Sequence, residues 1–106
     1  MQTTITARHC VVPDTLRETA GEVVGRVARV GRRPQRAQVV FDAEHKRKIV
    51  ELHVSLPRGQ MCVASAEAAD FRTALDRAAA RLRQQMHKLA GRTSRNSRNK
   101  RRVTRS

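Results

Sequence analysis

Aromatic side chains are almost missing from this sequence, which has no Trp, no Tyr and two Phe, Phe41 and Phe71. Modules that read single-stranded nucleic acid stack bases on exposed rings, and one or two rings make a poor platform. Acid is scarce too: nine Asp and Glu stand against 23 Lys and Arg, for a net charge of +14. Few carboxylates are therefore left for acid–base chemistry. The two cysteines, Cys10 and Cys62, are far apart and outside any CxxC or Cys/His cluster, which argues for buried or incidental thiols rather than a disulfide or metal site. The five glycines are dispersed, so no phosphate-cradling loop exists. No apolar run approaches the ~20 residues of a membrane span, and the opening MQTTITARHC lacks the pattern of a signal peptide. A cytoplasmic location is expected.

What the chain has in excess is positive charge, far beyond what solubility requires. Such a balance points to a polyanionic partner. The clearest local pattern is Asp70 to Leu89, where Phe71, Ala74, Leu75, Ala78, Leu82, Met86 and Leu89 recur at helical spacing. Asp70 suits an N-cap or first-turn position. At about 100° per residue, Arg77, Arg81, Gln84 and Lys88 fall on one flank of this stripe and Arg72, Arg83 and His87 on the other. A second stripe, Leu16, Ala20, Val23, Val24, Val27 and Val30, follows the helix-start signal Pro13-Asp14, and Gly31 and Pro34 are expected to end it. Arg26, Arg29 and Arg33 then share a face beside it, one turn apart.

Strand patterns fill the remainder. Met1 to Ala7 alternates weakly, Gln38 to Asp42 is β-branched, Ile49 to Leu56 alternates cleanly, and Gln60 to Ala66 follows a Pro57-Arg58-Gly59 turn. A polar connection, AEHKRK, joins the second and third. The expected class is α+β, ordered β-α-β-β-β-α: a four-stranded sheet with two helices packed on one face, an architecture that resembles a double-stranded-RNA-binding domain. Phe71 is in phase with the core stripe, whereas Phe41 could face either way. The domain is expected over residues 1–89. Beyond it, residues 90–106 (AGRTSRNSRNKRRVTRS) hold seven bases and no acid and are expected to be a disordered basic tail. The folded part is itself basic, at +7.

No active site emerges from the residues. The histidines His9, His45, His53 and His87 have no ligand-like spacing. Arg58-Gly59-Gln60 is the nearest approach to a catalytic triplet; peptidyl-tRNA hydrolases of the release-factor type carry Gly-Gly-Gln, but here Arg58 replaces the first glycine and a short turn fits the context. Recognition is expected to run through phosphates and shape, delivered by Arg, whose fork bridges phosphate oxygens.

Several stretches resemble the ribosome hibernation-promoting factor and ribosome-associated inhibitor family in its short form. They are ITARH at 5–9, DTLR at 14–17, VASAEAADF at 63–71, TALD at 73–76 and RLRQQMHKL at 81–89. The resemblance implies a non-enzymatic protein that binds the small ribosomal subunit and its rRNA where messenger and transfer RNA would lie, silencing translation in idle ribosomes. By position it implies RNA contacts at Arg8, Arg17, Arg26, Arg29, Arg81, Lys88 and Arg92; Arg33 and Arg77 join them from the helix-face pattern. Arg72 stands where the family usually has Tyr, Gln84 where Arg is common, Arg83 where an acid is common, and Pro13 at the usual Thr cap. The long form's dimerisation domain has no counterpart, so self-pairing of ribosomes is not expected. Neither is a membrane, a small-molecule substrate, a cofactor or a metal. The alternatives are a general structured-RNA-binding or ribosome-assembly protein and, behind it, the tail-bearing hydrolase.

Overall fold

The structure, a computed structural model, describes residues 1–30 and 33–99, the last ten as helix backbone only. Its elements are β1 (Gln2–Arg8), α1 (Asp14–Ala28), β2 (Arg36–Glu44), β3 (Arg47–Ser55), a short 3₁₀ turn (Pro57–Gly59), β4 (Met61–Ala68) and α2 (Phe71–Asn99). The order is the β-α-β-β-β-α expected. The sheet runs β1-β2-β3-β4, with β1 parallel to β2 and the other pairs antiparallel. A parallel pair needs a crossover, and α1 provides it.

Register sorts the side chains into two faces. The rows Ala7–Phe41–Val50–Ala66, Ile5–Val39–Leu52–Ala64 and Thr3–Ala37–Val54–Cys62 lie under the helices. From Ala37 to Ala66, every strand residue in these rows is buried in one cluster with Ala20, Val24 and Val27 of α1 and Leu75, Ala78, Leu82 and Met86 of α2. The apolar stripes read from the sequence are thus the buried faces of the helices. The large residues stand on the middle strands; β4 offers Ala64 and Ala66, small enough for α2 to lie close over it. Phe41 faces the helices. Its ring meets Phe71 edge-on at 5.3 Å between centroids, with the Lys48 ammonium 5.5 Å over the Phe71 ring. Both aromatics are therefore committed to packing.

Element ends differ from the sequence reading where backbone pairing outruns apolar pattern. β2 and β3 extend through the polar AEHKRK stretch, leaving His45-Lys46 as a two-residue turn with His45 at φ 57°. β4 likewise continues to Ala68. α1 stops at Ala28, short of Val30, and closes with tight bonds from Arg29 N–H to the Arg26 carbonyl and Val30 N–H to the Val27 carbonyl. Gly31, read as part of its terminator, lies outside the described residues. Asp70 does cap α2: one carboxylate oxygen accepts the Thr73 N–H at 2.8 Å and the other its hydroxyl at 3.0 Å. These bonds hold the Asp70 carboxyl below its usual range. The α2 backbone runs on to Asn99, past the Ala90 boundary expected for the tail. Helix hydrogen bonds are local, so the backbone continues without the apolar stripe, which ends at Leu89. Residues 100–106 of that tail lie outside the described residues.

Strand directions give the molecule two ends. Gln2, Arg36, Ser55 and Met61 align at the lower end; Arg8, Asp42 and Ile49 align toward the upper. Both helices descend from upper to lower.

Candidate nucleic-acid interface

The descending α2 runs beside β4, whose outer edge has no strand partner among the described residues. Four helix residues advance about 6 Å and two strand residues about 6.8 Å, so every fourth helix position meets every second strand position. The Arg77 guanidinium donates to the Glu67 carbonyl at 3.1 Å, Arg81 donates to the Ser65 carbonyl, and the Gln85 amide donates to the Val63 carbonyl while accepting the Val63 N–H at 3.2 Å. Three side chains thus act as a partner strand for the edge. Each guanidinium spends one N–H on the strand and keeps further donors for a ligand. Arg77 and Arg81 are exposed despite the tether. A tethered fork has lost part of its rotamer freedom before any phosphate arrives.

Gln85, rather than the Gln84 grouped with these arginines from the helical wheel, completes the series. The 77-81-85 spacing is visible in the sequence, but only the docking of α2 on β4 shows which flank meets the strand. Lys88, one turn lower, is exposed beside Gln60, Met61 and Leu89 at the lower end.

The proposed face of Arg26, Arg29 and Arg33 is not a helical face. Arg26 lies in the last turn of α1, Arg29 caps it, and Arg33 sits in the connection beyond with φ 54°. All three are exposed and cluster at the lower end because the helix ends there. Arg17, half-buried near the start of α1, donates through Nε to the Val12 carbonyl at 3.4 Å, bracing the segment that leads into the helix. Arg8 ends β1 on the sheet face away from the helices, in register with Asp42. The backbone of Arg92 continues α2 beyond Leu89. The nine candidates therefore divide into a lower group (Arg26, Arg29, Arg33 and Lys88), a β4-edge pair (Arg77 and Arg81), an upper pair (Arg8 and Arg17), and Arg92 beyond.

Near Arg8, His9 takes a left-handed conformation, φ 56°, and its Nδ1 lies 3.0 Å from Asp42 Oδ1. The His9 hydrogen bond outweighs the desolvation that ranks next and, with lesser help from the Ala43 N–H and from the charge of neighbours including Arg8, keeps the Asp42 carboxyl below its ordinary value. Burial pushes the Cys62 thiol up, so it carries less thiolate than a free cysteine. Arg58-Gly59-Gln60 occupies the tight turn between β3 and β4, with Arg58 and Gly59 both left-handed at φ 67° and 73°. Among the described residues no three His, Cys, Asp or Glu side chains converge as a metal site would require. No helix among them is long and apolar enough to cross a membrane.

A family model described as Sigma 54 modulation protein / S30EA ribosomal protein matches residues 3–94. Among solved structures, the chain is similar to the N-terminal domain of Protein Y from Thermus thermophilus. Identity is 28% and the TM-score 0.71, over 81% of this chain and 94% of that one. It is also similar to a ribosomal subunit interface protein from Coxiella burnetii, with 23% identity and a TM-score of 0.76 over 86% of this chain and 99% of that one. At that identity the second likeness is one of fold. No curated protein matches by sequence.

Proposed function

The chain belongs to the Sigma 54 modulation protein / S30EA ribosomal protein family, and from that premise we propose that it is a non-enzymatic, cytoplasmic ribosome-binding factor. It occupies the messenger and transfer RNA region of the small subunit and silences translation in idle ribosomes. The observation that carries this reading is α2: from Phe71 to Leu89 it has five bases against one acid, Asp76, and its β4-side arginines are held outward by strand carbonyls. With both Phe rings packed together, the chain has no aromatic platform for bases, and phosphates with RNA shape are what remain to be read. Arg26, Arg29, Arg33, Arg77, Arg81 and Lys88 make the main phosphate contacts, with Arg8, Arg17 and Arg92 at the margins. Residues 1–89 form the binding unit, and the bases of 90–106 add a sequence-independent contact.

The test is co-sedimentation with purified small subunits, vacant or filled with messenger and initiator transfer RNA. Binding to vacant subunits that is lost on filling is the expected result. Binding indifferent to occupancy would favour a general RNA-binding or assembly role. Reversing Arg26, Arg29, Arg81 and Lys88 to Glu together should abolish sedimentation with the subunit, and retention would sink the helix-borne contact. Gln60→Ala should leave binding intact and expose no lost hydrolase activity.

A further inference from the structure

We propose that the lower end of the domain, and not the helix flank alone, is a phosphate-contact surface for RNA, and that Arg36 and Arg58 belong to it. This rests on the ribosome reading for its natural partner, though the chemistry is that of any RNA backbone. Neither residue stands out in the sequence as a phosphate contact, because each is a single base in a strand or turn. The topology brings them together with others. Arg36 opens β2, Arg58 tips the β3–β4 turn three residues beyond its partner Ser55, and Arg26, Arg29, Arg33 and Lys88 reach the same end from α1, its connection and α2. All six are exposed.

The acids are distributed in the opposite sense. Of the nine, the lowest are Glu22, at the middle of α1, and Glu51, at the middle of β3; the others lie higher. Every ion pair among the described residues is accordingly at mid-height or above: His9–Asp42, Arg47–Glu67, His53–Glu51 and Arg72–Asp76. None of the six lower bases makes a side-chain hydrogen bond or ion pair with another described residue. Glu22, one turn above Arg26 in α1, is the nearest acid along that helix and forms no ion pair with it, so the end carries a net positive charge whose field draws in and orients a polyanion.

A second observation concerns the backbone. Arg33 and Arg58 hold φ of 54° and 67°, a region that favours Gly or Asn over residues with long side chains. Two arginines at such positions at one end, both exposed, are placed against local preference, which is common where a side chain serves binding.

The experiment compares two charge-matched double variants: Arg36→Gln with Arg58→Asn at the lower end, and Lys46→Gln with Arg47→Gln at the upper. Asn accepts the left-handed turn, so the lower variant keeps the fold; Arg36→Gln alone is the fallback, with half the effect. Affinity is measured against salt on vacant small subunits and on a plain A-form RNA duplex. Each phosphate contact contributes roughly 0.7–0.9 to the log–log slope. The lower variant should therefore lose about 1.4–1.8 in slope and bind roughly fifteen- to thirtyfold more weakly at about 0.15 M salt, while the upper one stays near wild type. Equal behaviour of the two variants on both probes overturns the lower-end surface, and the ribosome reading survives if the wild-type chain binds subunits. A lower-end effect on the duplex, with wild type failing to bind subunits, retains the surface and overturns the ribosome reading. Wild-type binding to neither probe overturns both.

Discussion

The two faces of the sheet are built from alternate residues of the same strands, yet they have opposite chemistry. Under the helices stand Ala37, Val39, Phe41, Val50, Leu52, Val54 and the small residues of β4, all within one cluster. On the bare face the rows read Thr4–Gln38–His53–Val63, Thr6–Val40–Glu51–Ser65 and Arg8–Asp42–Ile49–Glu67. Charge there is largely paired, with Asp42 to His9, Glu51 to His53 and Glu67 to Arg47. Val40 is buried on that side without joining the core cluster, in register between Thr6 and Glu51. A period of two is what permits this division: one residue buys stability and the next stays available to solvent. Among the described residues, Arg8 and Arg36 stand on this face without an ion pair, and further unpaired bases lie along α2 and at the lower end.

The contrast can be broken by substitution. Leu52→Ala, beneath the helices, should cost about 2–5 kcal/mol in urea unfolding, because a fully enclosed side chain leaves a cavity. Val63→Thr, 43% exposed on the bare face, should stay within about 0.5 kcal/mol. Similar losses at the two positions would mean that the bare face is not free. A middle-sized effect is expected at the edge. Gln85→Ala removes both bonds to Val63 and should cost about 1 kcal/mol. It should also promote concentration-dependent self-association in sedimentation velocity, because an uncapped edge strand recruits another. Unchanged monodispersity in Gln85→Ala would show that Arg77 and Arg81 suffice to guard it.

A pH-dependent effect concerns the cap of α2. The Asp70 carboxyl titrates below its unfolded value, so its stabilisation is complete above about pH 4 and is lost as pH falls through the folded value. Asp70→Ala should lower the melting temperature at neutral pH, and the deficit should shrink in acid. A deficit that is constant with pH would assign the loss to something other than the carboxylate bonds to Thr73.

Much of the fold is legible in the residues. The α2 stripe from Phe71 to Leu89 and the β3 alternation from Val50 to Leu56 announced which side chains are buried, and the helix-start signals at Pro13-Asp14 and Asp70 were close to the real starts. The interface was less legible. A helical wheel set Gln84 beside Arg77 and Arg81, since it cannot weigh one flank against a strand that is not yet placed. It extended α1's basic face to Arg33, although the helix closes at Ala28. Arg36 and Arg58 carried no pattern of their own, and their proximity depends on the register between Arg36 and Ser55.

The order of elements, the identity of the core and the excess of positive charge were determined by the sequence alone. They follow from periodicities set by covalent geometry and from composition, which need no knowledge of neighbours. The parallel pairing of β1 with β2, the side-chain edge that α2 supplies to β4, and the gathering of bases at one end were decided only in the tertiary structure. Each depends on the direction and register in which distant segments meet, and those are settled by packing the whole chain at once.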